Sequence, residues 1–262
     1  MKKRKLRLVF LFISFLLFPV TIFYFSPVLI IVGASEGIIT GSFLVFSLQF
    51  VFALFFGRFF CGWICPSGGL QECFSLIIDK PATGGKYNLI KYLIWFPWIA
   101  SIIMIFIFAG GFHKTELTYM TSNGISVAEP YSYIIYYFIV GLNVILSIFA
   151  GKRACCHYIC WMAPFMIIGT IIKDFFGWPS LKMTADKTRC SGCKTCNKNC
   201  PMSLDVERMV QTGSLKNSEC ILCGKCVDFC SNNVIRFSFS GNNKNHGQQQ
   251  PIIPERLKQF EQ

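Results

Sequence analysis

Four stretches of the chain carry no Asp, Glu, Lys or Arg: Leu8 to Ser35, Gly37 to Gly57, Tyr92 to Phe112 and Pro130 to Gly151. Crossing a bilayer as an apolar helix takes about 20 residues, so this pattern predicts four transmembrane helices. Pro19 and Pro27 interrupt the first, which is expected to be broken or tilted there. After Cys65 the period shortens: Leu70, Cys73, Phe74, Ile77 and Ile78 recur at helical spacing against Gln71, Glu72, Ser75, Asp79 and Lys80. A short amphipathic helix lying on the membrane surface is expected, with Cys73 buried on its apolar side. Ala154 to Ile172 is apolar too, but Pro164 and Gly169 argue against a regular fifth span.

Composition and charge sharpen this picture. Of 262 residues, 53% are hydrophobic and 15% charged, whereas about a quarter are charged in a soluble domain, so a purely soluble protein is excluded. The net charge of +12 is spread over both halves, with 13 basic against 6 acidic residues up to residue 181 and 12 against 7 beyond it. No basic stripe interleaved with aromatics stands out, which disfavours nucleic acid and leaves anionic membrane lipid as the partner of the basic flanks. Lys2, Lys3, Arg4, Lys5, Arg7, Arg58, Lys80, Lys86 and Lys91 flank one end of the runs and Lys114 alone the other. By the positive-inside rule both termini and the Arg58 to Lys91 segment face the cytoplasm. A multi-pass protein of the cell (inner) membrane is expected. The opening apolar run is too long for the 7–15-residue core of a cleaved signal, so it is read as retained.

Fourteen cysteines bring in the chemistry. Cys190, Cys193, Cys196 and Cys200, then Cys220, Cys223, Cys226 and Cys230, spell C-x2-C-x2-C-x3-C twice. Such a run supplies three thiolates to one cubane and a fourth to its neighbour, which specifies a pair of [4Fe-4S] clusters. A four-cysteine zinc site needs only two C-x2-C pairs, and disulfides need an oxidising compartment. Residues from about Thr188 to Phe237 resemble a bacterial-type two-[4Fe-4S] ferredoxin module. The resemblance implies crossed ligation, with Cys190, Cys193, Cys196 and Cys230 on cluster I and Cys220, Cys223, Cys226 and Cys200 on cluster II. Ser231 departs from that family's second proline, whereas Pro201 keeps the first.

The membrane part repeats at an offset of 95 residues. Arg58, Cys61 and Cys65 align with Arg153, Cys156 and Cys160, both copies reading R-x2-C-x3-C after an uncharged run. A duplicated two-helix hairpin follows, its copies entering the membrane with the same orientation about an axis along the normal. Cys61, Cys65, Cys156 and Cys160 then converge on the side of the ferredoxin module. Three uses stand open for them: a third metal or cluster site, a redox-active thiol group, or buried thiols. Pro66 leaves Cys65 either in a loop or capping the next helix. Arg58 and Arg153 either lower a thiolate pKa and neutralise a bound cluster or anchor headgroups. Cys155 and His157 have no counterparts in the first copy, and His157 is read as a packed interface residue.

Together Gly57-Arg58-Phe-Phe-Cys61-Gly-Trp-Ile-Cys65-Pro66, its second copy and the trailing module resemble the polyferredoxin-type 4Fe-4S membrane proteins of the NapH, NosR and CcoG kinds. Trp161 stands where the family pattern has proline, so the second cysteine pair departs from it. The resemblance implies electron transfer between a membrane donor, quinol among the candidates, and a redox partner protein or membrane complex. No flavin, nicotinamide or Ser/His/Asp fingerprint is seen, which suits a non-catalytic subunit of an oxidoreductase system. An assembly factor supplying electrons to a metal or thiol, and a membrane-anchored redox sensor, are the alternatives. The expected fold is an α-helical membrane protein with a C-terminal α+β ferredoxin-like domain: a basic start over 1–7, a four-helix membrane domain over 8–180, the two-cluster domain over 181–239 and a flexible tail over 240–262.

Overall fold

The computed structural model describes residues 2–75 and 77–241; the expected tail lies outside them from residue 242. In chain order the elements are α1 (Lys2–Leu16), α2 (Phe18–Thr21), α3 (Pro27–Ser35), β1 (Ile38–Thr40), α4 (Gly41–Phe56), α5 (Phe59–Trp63), α6 (Pro66–Phe74), α7 (Ile90–Phe108), β2 (Lys114–Glu116), α8 (Pro130–Ala150), α9 (Ala154–Tyr158), α10 (Met162–Phe176), β3 (Ser180–Ala185), α11 (Thr195–Lys198), α12 (Val206–Gln211), α13 (Lys225–Asp228) and β4 (Ile235–Ser240).

Among the described residues two helices are long and apolar enough to cross a membrane, Tyr87–Phe108 and Pro130–Ala150. A third crossing is available if Arg4–Leu16 and Phe18–Phe25, bent by 59°, act as one span. The break has a local cause, since Pro19 lies in the first turn of α2; a further turn follows where Pro27 opens α3 behind a Ser26 side-chain cap. The second uncharged run yields only the 16 residues of α4, about 24 Å at 1.5 Å per residue, because Thr40 caps its start and Gly57 ends it at φ 56°. At the end away from the cysteines, β1 and β2 pair in parallel.

The offset of 95 residues reappears as structure. An apolar helix, a glycine at positive φ and a five-residue helix follow one another in both copies: α4, Gly57, α5 and α8, Gly151, α9. Each five-residue helix carries the first cysteine of its pair. Cys65 is the N-cap residue of α6, with Pro66 at the first helical position; the chain turns again at Cys160 before α10. That turn interrupts Ala154 to Ile172, and α10 packs back along α4, with Gly169 against Phe50 and Ala53.

The C-terminal segment closes with β3 and β4 antiparallel, Ser180 opposite Ser240 and Ala185 opposite Ile235. Its two halves are related at an offset of 30: left-handed residues recur at Gly192 and Leu222, Lys194 and Gly224, Ser203 and Asn233. Backbone of this kind turns successive N–H groups inward and forms anion-accepting nests.

One expectation is overturned on α6. Its polar residues Gln71 and Glu72 are buried, while Cys73 is exposed, so α6 does not float apolar side down. It packs against α1 and α8, and Arg7 on α1, Arg153 before α9 and Lys225 on α13 draw Glu72 inward.

Candidate functional site

The eight C-terminal cysteines stand in two groups of four. Cys220, Cys223 and Cys226 line one small cavity with Cys200, walled by Met183, Met202 and Ile221. Cys190, Cys193 and Cys196 line another with Cys230, walled by Val210, Val234 and Ile235. Each group takes three thiols from one run and one from the other. Among the described residues no three or more His, Cys, Asp or Glu side chains are set to hold a single metal ion. Thiols spread around a cavity suit a cubane, whose irons each take their own thiolate. Burial pushes the Cys220 thiol up to about 12 and that of Cys200 to about 11, so loading these sites releases protons to the solvent.

The membrane-proximal cysteines form a third group. Cys65 lies within electrostatic reach of Cys61, Cys156 and Cys160, and Cys160 of Cys156 and Cys61. Burial first, then those neighbours, push the Cys160 thiol up to about 12. Cys155, which the repeat gave no partner, joins them, feeling Cys160, Cys156 and Cys65. Gln71 fastens the second loop to the first, its Oε1 accepting from the Cys155 amide at 3.0 Å and its Nε2 donating to Cys156 Sγ at 3.8 Å.

Arg58 and Arg153 are fully buried beside these thiols, which rules out headgroup anchoring. Arg58 pairs with Glu219 at 2.7 Å; Arg153 pairs with Glu72 at 2.8 Å and donates to the Cys61 carbonyl at 2.8 Å. Even so, Nε and Nη2 of Arg58 and Nε of Arg153 have no hydrogen-bond partner. Buried donors left over on two cations, next to five thiols, fit an anionic metal-thiolate group. His157 is buried with Nδ1 3.0 Å from Asn88 Oδ1 and Nε2 unpartnered; it lies at the interface rather than among the thiols.

Two acids that the sequence did not single out join the halves. Glu72 takes Arg7 and Arg153 from the membrane part and Lys225 at 2.5 Å from α13. Burial alone would raise its pKa, but Arg153, Arg7 and Lys225 outweigh that and hold the carboxyl well below the usual range. Glu219, beside Cys220, takes Arg58 and, at 2.5 Å, Lys91 at the start of α7. Trp63 Nε1 donates to the Leu222 carbonyl at 3.1 Å. Gly62 is required at the contact, because a β-carbon there would strike the Ile221 carbonyl and stand 3.2 Å from Cys223 Cα. One continuous buried cluster consequently runs from Ala53 and Met166 through Cys61 and Cys156 to Met202, Ile221 and Cys226.

On the membrane side of the third group lies an apolar cavity of about 440 Å3, lined by Ile30, Phe43, Phe46, Trp95, Trp98 and Phe165 among others. Trp98 and Phe165 pack in the same cluster as Cys160 and Met162. Trp98 donates to the Pro27 carbonyl, whereas the buried indole N–H of Trp95 has no partner.

A family model described as a 4Fe-4S binding domain matches residues 38–81, which include Cys61 and Cys65. One described as a 4Fe-4S dicluster domain matches 182–249, which include all eight C-terminal cysteines. Uncharacterized protein MJ0750 of Methanocaldococcus jannaschii is 30% identical over 203 residues, covering 72% of this chain and 76% of that protein. Uncharacterized protein MJ0749 of the same organism is 27% identical, covering 86% and 83%. Putative electron transport protein YccM of Escherichia coli is 23% identical, covering 77% of this chain and 56% of its own length. No solved structure matches the chain.

Proposed function

The chain belongs to the polyferredoxin-type 4Fe-4S membrane proteins, and from that premise we propose that it moves single electrons between a quinol-type donor or acceptor in the membrane and a redox partner protein at the cytoplasmic face. The observation that carries the reading is the close packing of α5, which holds Cys61, on the Ile221 to Cys223 loop at Gly62, which sets the third thiol group beside the Cys220 group.

In this reading Cys220, Cys223, Cys226 and Cys200 hold one [4Fe-4S] cluster, and Cys190, Cys193, Cys196 and Cys230 a second. Cys61, Cys65, Cys156 and Cys160 hold a third cluster. Bound there, such clusters supply one-electron oxidation and reduction. The residues of the chain do the rest. Arg58 and Arg153 place buried positive charge and spare N–H donors beside the third group, which favours its more negative, reduced state. Gly62, Trp63 and the Arg58 to Glu219 pair fix the distance to the Cys220 group. The inward-turned backbone at Gly192, Lys194, Leu222 and Gly224 offers N–H groups to the other two cavities.

The bent α1–α2 pair, α4, α7 and α8 make four crossings in this reading, α4 as a short one. Lys91 at the start of α7 and Lys152 after α8 both lie on the ferredoxin side, the one pairing with Glu219 and the other donating to the Lys198 carbonyl. The opposite end carries Glu36, Glu116 and Glu129 with Lys114 as its one basic residue among those described. That asymmetry supports a cytoplasmic ferredoxin module. The cavity beside Cys160 is apolar and aromatic, with one unsatisfied donor at Trp95, and matches a quinone ring.

The test is reduction of the anaerobically purified protein by a short-chain quinol. The cluster absorbance is expected to bleach in the wild type. In Trp98→Ala the quinol-driven rate is expected to fall while full reduction by dithionite is retained. Equal quinol rates in both proteins, or no bleaching in either, would remove the quinol reading.

A further inference from the structure

A second, larger space lies outside the three thiol groups. A cleft of about 1060 Å3 runs between α10, the polar side of the β3–β4 sheet and the 213–217 loop, with Cys220 among its lining residues. Six basic residues line it, Arg58, Lys173, Lys182, Arg189, Lys216 and Arg236, against Asp174 and Asp186. They come from separate segments, so no basic run in the sequence announces them. Part of this charge is answered locally: Arg58 pairs with Glu219, Lys173 with Asp174 at 3.2 Å, and Lys182 donates to the Gly241 carbonyl at 2.9 Å. The remainder is felt at Lys182, whose pKa is lowered by burial and by the nearby Lys216 and Lys173.

The lining narrows the occupant. No aromatic side chain faces the cleft among the described residues, so a flavin or nicotinamide ring has nothing to stack on. Most of the side chains that line it are polar or charged, six of them cationic, which disfavours a site made for lipid acyl chains alone. The chain beyond the described residues does not supply the missing negative charge, since 242–262 hold three basic residues against two acidic. A water-borne surface bearing carboxylates does.

We propose that this cleft docks a soluble one-electron carrier protein through an acidic face, bringing it to the edge of the four-thiol group that includes Cys220. The proposal rests on the iron-sulfur reading above. One electron passes between the carrier and that group, whose charge changes by one, and no bond is made or broken.

The test uses the full-length holoprotein in detergent, with a small acidic ferredoxin as probe and basic cytochrome c as the opposite-charge control. Binding of the oxidised ferredoxin is expected to weaken steeply as salt rises. The charge reversals Lys182→Glu and Lys216→Glu together are expected to weaken it by roughly tenfold or more. Iron content and electron transfer to a neutral small-molecule acceptor stay unchanged. Should the double reversal lose iron, Lys182→Gln with Lys216→Gln is measured instead, with a smaller loss of binding in the same direction. Unchanged binding in these variants would overturn the proposal. So would a loss that follows Lys194→Glu and Lys198→Glu beside the other group, or variants impaired only in binding phosphatidylglycerol vesicles, which would mark a lipid site. Wild-type protein that holds no iron would instead sink the underlying iron-sulfur reading.

Discussion

Glu72 illustrates what a single residue contributes here. Its carboxylate is surrounded by Arg7, Arg153 and Lys225, all brought in from other elements. Removing one partner from a buried ionic group leaves uncompensated charge and costs about 3–5 kcal/mol. Glu72→Gln is therefore expected to lower stability by about that amount, read as a drop in denaturation midpoint in detergent. Because the native pKa lies below the ordinary value, the stabilisation is present above the unfolded pKa of about 4.3 and is lost only as pH falls further. The stability difference between the wild type and Glu72→Gln should be flat from neutral pH to about pH 5 on this account; a difference that already shrinks near pH 6 would contradict it. Gly62 makes a steric prediction. Gly62→Val pushes against the Ile221 carbonyl and the Cys223 backbone, an overpacking cost of about 1–3 kcal/mol. Quinol-driven reduction should slow while the spectrum of the dithionite-reduced C-terminal module persists. Spacing made the cysteines legible in the sequence, because a cubane takes its ligands from a short local run. Glu72 and Glu219 were not legible: Arg7 is 65 positions from Glu72 and Arg58 is 161 from Glu219, and no local pattern encodes such pairs. Cys155 was missed for a related reason, since it has no counterpart at the repeat offset.

Among the elements, the two copies diverge where their surroundings differ. Both five-residue helices keep their place at the offset of 95 residues, which the aligned Arg and Cys positions had announced. Their successors differ: α6 has nine residues and carries the ionic centre, while α10 has fifteen and packs along α4. The hydrophobic period of α6 pointed its apolar side inward, and the structure turns Gln71 and Glu72 inward instead. Buried arginines on neighbouring elements outweigh the period, and the sequence of α6 contains no trace of them. The exposure of Cys73 that results gives a native topology probe. In intact cells an impermeant maleimide added outside is expected to label Ser122→Cys, on the segment between α7 and α8, and to spare Cys73 until the membrane is permeabilised. Labelling of Cys73 from outside would reverse the proposed orientation.

At the scale of the whole molecule, three thiol groups and an aromatic cavity follow one another through two neighbouring buried clusters that share Phe60. The cavity touches the packing around Cys160, α5 touches the Cys223 loop, and the two C-terminal groups exchange one cysteine each. Iron-sulfur character was readable from cysteine spacing, and the family from the resemblance carried by the Gly57 to Pro66 string, its second copy and the trailing module. The closeness of the membrane-proximal group to the ferredoxin module was not, because it depends on where a separate domain comes to rest. The central claim is that the membrane-proximal thiols hold a cluster in line with the other two. Counting iron and acid-labile sulfide in anaerobically purified full-length protein tests it most directly. About twelve irons per chain are expected at four per cubane, falling to about eight in Cys65→Ser with Cys160→Ser. A wild-type count of eight that the double substitution leaves unchanged would contradict the claim.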